Sequence, residues 1–157
     1  MAAGKVNFGR YGKTFQEGLV QLIFEDRPFA DQITEVLDIS FIELEYLRVF
    51  LRKTLTFREK YDKQPSVNAM LTIIKTELEG EDETVQQQVK DYFARMHTQE
   101  VADAEYIKEI SLDFCRKQNL KEAMLTSVNL LQNCSFDEIS KVINDALKLG
   151  SEKREKL

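Results

Sequence analysis

"AEYIKEISLDFCRKQNLKEAMLTSVNLLQNCSFDEISKVINDALKLG", residues 104–150, decides the fold: almost all of it follows a helical period and none of it alternates as a strand would. At its end, Ser135 and Glu138 have the spacing of a capping box. Phe136, Ile139, Val142, Ile143, Ala146 and Leu147 then fall along one helical face, and Gly150 stands where a helix commonly ends. Upstream, Ile107, Ile110 and Phe114 make one apolar stripe and Leu120, Met124, Val128 and Leu131 make another. Between them "RKQN", residues 116–119, is wholly polar. Two modest stripes with a polar break suit an extended hairpin or rod better than a globule's core. An amphipathic helix over 135–149 and a charged tail over 150–157 follow it. Stripes of this kind need a cover, in the same chain or in another.

Working back toward the N-terminus, the helical period continues. Thr14 with Glu17 and Ser40 with Glu43 read as capping boxes, the first opening a helix with Phe15, Leu19, Leu22 and Ile23 on one face. Pro28 suits the first turn of a short helix presenting Phe29, Ile33, Val36 and Leu37. The second box opens a helix to about Asp62 with two apolar stripes, Leu44-Leu47-Leu51-Leu55 and Tyr46-Phe50-Phe57-Tyr61. Such a helix is expected at the centre of its domain. After the break at Pro65-Ser66, Val67, Met70, Leu71, Ile74 and Leu78 are expected to face inward. A helix capped by Asp82 then carries Val85, Val89, Tyr92, Phe93 and Met96. The fold class is all-α, and the first five helices read as a compact bundle. Residues 1–13, basic through Lys5, Arg10 and Lys13 and holding three of the six glycines, read as a flexible or lightly tethered arm.

The chain has 157 residues, enough for one domain with a proper core. Its 43% hydrophobic and 31% charged residues exclude disordered and membrane classes, and no apolar run approaches a bilayer span. A cytoplasmic protein with no membrane partner is expected. The net charge of −5 disfavours nucleic acid, so any DNA contact should be weak or indirect. Cys115, Cys134 and the single His97 lack metal-ligand spacing, and the cysteines read as reduced core or surface thiols.

No stretch carries convincing chemistry. "GRYGKT", residues 9–14, ends like a phosphate-binding loop, but Asn7 stands where that loop needs its first glycine and no strand precedes it. His97 has no glutamate three residues before it and no second histidine to pair with, which removes a di-metal bundle site. "RVFLRKTLTFREKY", residues 48–61, mixes basic and aromatic residues as a single-strand platform does, yet its aromatics repeat at core spacing and Glu59 interrupts the charge. The expectation is no catalytic, cofactor or metal site in this chain.

Three segments together resemble one family, the replicative DNA helicases of bacteriophages related to bacterial DnaB. They are "YGKTFQEGLVQLIFEDRPFADQI", "FIELEYLRVFLRKTLTFREKYDKQPS" and the stretch quoted first, and the resemblance spans residues 11 to 150. It covers the N-terminal domain and linker helix of that family. It implies an all-α architecture of a small helical globule over 14–97, a helical hairpin over 100–132 that pairs between subunits in a collar, and a terminal amphipathic linker helix over 135–149 that docks on a neighbouring motor domain. The self-association surface would be Ile107, Ile110, Phe114, Leu120, Met124, Val128 and Leu131. The motor-docking face would be Phe136, Ile139, Val142, Ile143 and Leu147. The implied partners are further copies of the chain (a dimer in isolation, a hexamer in a full-length parent) and a primase or helicase loader. ATP and magnesium would belong to a motor domain that this chain lacks, as a fragment or as a stand-alone relative, and the chain alone should not hydrolyse ATP or unwind DNA. The location would be the cytoplasm of an infected host cell. The competing reading is a stand-alone helical adaptor that binds another protein through its C-terminal helix.

Overall fold

The computed structural model describes residues 6–132 and 136–155, and among these every regular element is helical. The α-helices are α1 (Gly12–Glu25), α2 (Arg27–Ile33), α3 (Glu45–Tyr61), α4 (Val67–Thr76), α5 (Glu83–Met96), α6 (Ala104–Gln132) and α7 (Phe136–Glu155), with short 3-10 turns at Phe8–Tyr11 and Ile39–Phe41. The all-α expectation therefore holds. Ser135 and Cys134 lie outside the described residues, as do residues 1–5 of the expected arm.

The centre of the globule is α1, not α3. Every residue from Gly18 to Phe24 is buried, so α1 is enclosed all round rather than along the single face that its leucines suggest. It packs on α2, α3 and α6. Gly18 permits the closest of these approaches: a Cβ there would stand 2.9 Å from Ile107 Cδ1 of α6 and 3.2 Å from Val101 Cγ1. On α3 the first three turns are buried through Tyr46, Leu47, Val49, Phe50, Leu51 and Thr54, while the last turn runs out of the core and leaves Tyr61 exposed. On α4 Met70 and Ile74 are buried and Ile73 packs against the core, joined by Leu78 beyond the helix; Val67 and Leu71, expected inside, are exposed.

The N-terminal arm is corrected from residue 6 onward. Phe8 is fully buried, its ring 4.3 Å from Phe114 and 5.8 Å from Phe15 between centroids. Asn7 accepts the Gly9 N–H at 2.7 Å and so caps the 3-10 turn. Gly12 follows with φ +89°, a left-handed conformation that costs other residues about 1 kcal/mol or more. Sequence periodicity missed this docking because one buried aromatic makes no period.

Several expected caps are replaced by side chains from elsewhere. Thr14 lies inside α1, and Glu17 turns away from it. Ser40 belongs to the second 3-10 turn, and α3 begins at Glu45 after Leu44, a residue with no capping side chain. Buried Gln16 of α1 serves instead, its Oε1 accepting the N–H groups of Glu43 at 2.8 Å and Leu44 at 3.3 Å. Gln64 Nε2 donates to the Ile23 and Phe24 carbonyls at the end of α1, and buried Gln21 donates to the Met96 and Gln99 carbonyls at the end of α5. Each satisfies a helix-end group that would otherwise be stranded in the core. The local signals that do hold are Pro28 in the first turn of α2, whose cap the structure assigns to Asp26, and Ser66 at the start of α4.

The predicted hairpin over 100–132 is also corrected. Residues 104–132 form one helix of 29 residues, about 43 Å long, and the polar 116–119 segment continues it without a break. Arg, Lys and Gln are good helix formers, and the whole stretch has no Gly or Pro to stop it. Its first half belongs to the globule, with Ile107, Leu112, Phe114 and Cys115 buried. Lys108 Nζ lies 2.6 Å from Asp26 Oδ2, and Asn119 Nδ2 donates to the Val36 carbonyl at 2.9 Å, pinning the helix at the edge of the globule. Its second half leaves the globule and pairs with α7. The hairpin is thus α6 against α7. Helix α7 runs through Gly150 to Glu155, so the tail expected from residue 150 is helical over 150–155.

Candidate interaction surface on the helical hairpin

The two arms meet through different kinds of residue. On α6 the buried positions beyond the globule are Ala123 and Ser127, one turn apart, whose small side chains let the arms approach closely. Ser127 Oγ donates back to the Ala123 carbonyl at 2.8 Å, which removes the cost of enclosing the hydroxyl. On α7 the partly buried residues are Ile139, Val142, Ile143, Ala146 and Leu149, the last reaching the core cluster of the globule. This face covers α6 of the same chain.

What remains is a second apolar side of the hairpin. Met124, Val128 and Leu131 of α6 and Phe136 and Leu147 of α7 are between 52% and 69% exposed, more than a packed core tolerates. At 3.6 residues per turn, Met124, Val128 and Leu131 stand roughly a quarter-turn from the Ala123–Ser127 contact. Phe136 and Leu147 stand a quarter-turn from the Ile139–Val142–Ala146 contact in the same rotational sense. Because the arms run in opposite directions, those two turns bring both sets to one side. The hairpin therefore presents a flat apolar side outside the core.

The residues assigned to self-association in the sequence divide accordingly. Met124, Val128 and Leu131 are exposed on the flat side and Leu120 is partly buried at its root. Ile107 and Phe114 are buried in the globule, and Ile110 packs against its core. They hold the fold and offer no surface. The residues assigned to motor docking divide too: Ile139, Val142 and Ile143 turn toward α6, while Phe136 and Leu147 stay open. Sequence periodicity overlooked the Ala123–Ser127 seam, whose one signal is two small residues at a four-residue spacing.

The other candidates resolve into structural roles. The glycines of "GRYGKT" are explained by geometry: Gly12 by its positive φ, and Gly9 because a Cβ would meet Asn7 Oδ1 at 2.8 Å. In "RVFLRKTLTFREKY", Tyr46 just before it and Phe50 within it are buried, and Arg48 Nη1 donates to the Ile42 and Glu43 carbonyls at 2.8 and 2.6 Å. Arg58 pairs with Asp31 at 2.7 Å and also reaches Gln64. His97 closes α5, its Nδ1 2.7 Å from the Phe93 carbonyl.

Glu17 gathers the densest polar cluster. Arg95 donates to both its oxygens at 2.8 and 3.0 Å, Tyr46 donates at 2.5 Å, and Tyr92 donates to its backbone carbonyl at 2.6 Å. Burial pushes the Glu17 carboxyl up, but the Arg95 and Tyr46 hydrogen bonds outweigh it and hold the group below the usual carboxylate value. Burial together with Glu17 drives both tyrosine hydroxyls well up. A base must be able to give up its bond to a reacting proton, whereas Glu17 is saturated by donors that tie α1 to α3 and α5. Burial also pushes the Cys115 thiol up to about 12, a value that makes it a poor nucleophile. Among the described residues, no group of His, Cys, Asp and Glu is placed to hold a metal ion, and no helix is long and apolar enough to cross a membrane.

These features define a structural class: an all-α globule carrying a two-helix arm whose outer side is apolar. No protein-family model, curated protein or solved structure matches the chain.

Proposed function

We propose that the chain is the assembly and partner-binding domain of a phage replicative DNA helicase of the DnaB-like type, acting in DNA replication through subunit pairing and the docking of a primase or loader. The reading rests on the three segments quoted above. The observation that carries it further is the flat apolar side of the α6–α7 hairpin, built of residues with no place in the chain's own core. Each large apolar side chain moved out of water contributes roughly 1.5–3 kcal/mol. Four or five of them offset much of the cost of association, which is about 4–15 kcal/mol. In this reading α7 is the second arm of the hairpin and not the motor-docking linker, and ATP and magnesium act in a motor domain joined beyond it.

Sedimentation equilibrium from micromolar to millimolar concentration tests the proposal. Dimers or larger species are expected, weakened by Met124→Glu and Val128→Glu with the helical content unchanged. A strict monomer whose folding collapses with either substitution would refute the pairing surface. The reading frame that encodes the chain gives a second test. Continuation past Leu157 into a strand, a phosphate-binding loop and a helix is the expected result; a stop codon there would favour the stand-alone adaptor.

A further inference from the structure

One exposed leucine of α6 lies off the flat side. Phe114, Gln118, Lys121 and Leu125 recur at four- and three-residue steps, within about 60° of one another around the helix. That line stands roughly half a turn from the Ala123–Ser127 seam and a quarter-turn from the Met124–Val128–Leu131 stripe. At its outer end Leu125 is 56% exposed. At its globule end Phe114 is covered by the rings of Phe8 and Tyr11, and Val6 of the same segment is 44% exposed.

The groove between that segment and α6 is lined by three cations, Arg10, Lys117 and Lys121, and by one acid, Asp113. Asp113 lies 3.0 Å from Lys117 and answers it. Among the described residues no carboxylate pairs with Arg10 or Lys121, and Arg10 donates instead to the Tyr11 hydroxyl at 3.1 Å. Glu122, about 100° further around α6 from Lys121, is not part of the lining. Two unanswered cations in a chain of net charge −5 select an acidic ligand.

The Tyr11 ring decides between the two classes of acidic polymer. A nucleic-acid strand binds by stacking its bases on presented aromatic rings. Tyr11 is already stacked on Phe15 at 4.9 Å, lies under the Arg10 guanidinium at 5.1 Å and meets Phe114 edge-on, so it is not presented as a platform. The open apolar groups, Val6 and Leu125, are aliphatic and suit apolar side chains. Building on the partner-binding role proposed above, we infer that the groove takes an acidic, apolar polypeptide segment of a different protein. Its carboxylates meet Arg10 and Lys121, and its apolar residues rest on Val6 and Leu125. A second copy paired on the Met124–Val128–Leu131 stripe leaves this line open.

Selection of a random peptide library of about 16 residues on the unaltered chain tests the inference. Enriched sequences should combine Asp or Glu with apolar residues. A labelled enriched peptide, followed by fluorescence anisotropy, should bind at least about ten-fold more weakly to Arg10→Glu/Lys121→Glu, which places like charges together. Leu125→Ser in the chain, or amides in place of the peptide's acids, should weaken it in the same direction. Sedimentation of these variants should show self-association unchanged, whereas Met124→Glu should lose the dimer and keep the peptide. Circular dichroism checks folding, and Arg10→Gln/Lys121→Gln carries the comparison if charge reversal unfolds the chain. No enrichment, enrichment without acids, or binding that the variants leave intact would overturn the inference. So would an oligothymidylate that binds the unaltered chain and is lost with Arg10→Glu/Lys121→Glu, which makes the occupant a nucleic acid. Loss of the dimer with that variant would make the occupant a second copy and overturn it too. A strictly monomeric chain that still selects acidic peptides would sink the pairing reading and leave the groove assignment standing.

Discussion

Replacing Phe8 by Ala tests whether the segment before α1 is part of the fold. The ring is fully buried against Tyr11, Phe15, Phe41 and Phe114, with centroids 4.3 to 6.4 Å away. Losing its transfer from water costs about 2–3 kcal/mol. Four aromatic walls held by three different segments cannot close over the vacancy, so a cavity term is added and the total reaches about 3–5 kcal/mol. Undocking of residues 6–11 as a unit sets the ceiling, since the loss cannot exceed the docking energy of that segment. Urea unfolding followed by circular dichroism measures the change. Tyr61→Ala, at a side chain 52% exposed, serves as the control and should stay within about 0.5 kcal/mol. A Phe8→Ala loss below about 1 kcal/mol, equal to the control, would mean that residues 6–11 form a loose arm after all and that Phe114 is covered by something else.

Other outcomes follow from the same packing. Gln16→Ala strands the Glu43 and Leu44 N–H groups and should cost about 1–3 kcal/mol in the same urea assay; a neutral result would show that water replaces the amide. Glu17 and Asp26 both have carboxyls held below their ordinary values, so their contribution is present above the unfolded values and is lost as pH falls through the lowered folded ones. Stability should therefore drop on the acid side, below about pH 4, and Arg95→Leu should flatten that slope; a slope unchanged by the substitution would refute the role of the Arg95 pair. In a Cys134→Ser background, Cys115 should resist Ellman's reagent at pH 8 until the chain unfolds, since its thiol is buried with a value of about 12. Rapid modification of the folded protein would contradict that burial.

That the chain is helical, and roughly where its helices lie, is legible from the residues alone. Both follow from local quantities: the apolar period, helix propensity, and starts such as Pro28 and Ser66. The same locality explains the misreadings. A polar run at 116–119 looks like a break when only hydrophobicity is counted, yet Arg, Lys and Gln extend a helix readily and only Gly or Pro would have stopped it. The capping boxes at Thr14 and Ser40 have the right spacing, but packing of α1 against α3 puts Gln16 at the end of α3 and leaves Glu17 to Arg95 and Tyr46. Tertiary structure alone decided which apolar stripes are core and which are surface. Ile107 and Phe114 look no different from Met124 and Val128 along the chain, and one pair is buried because α1 and Phe8 cover it. The other pair is left open because α7 approaches α6 along Ala123 and Ser127, a quarter-turn away. Burial depends on which element arrives from a distance in sequence, and no period within a helix encodes that arrival.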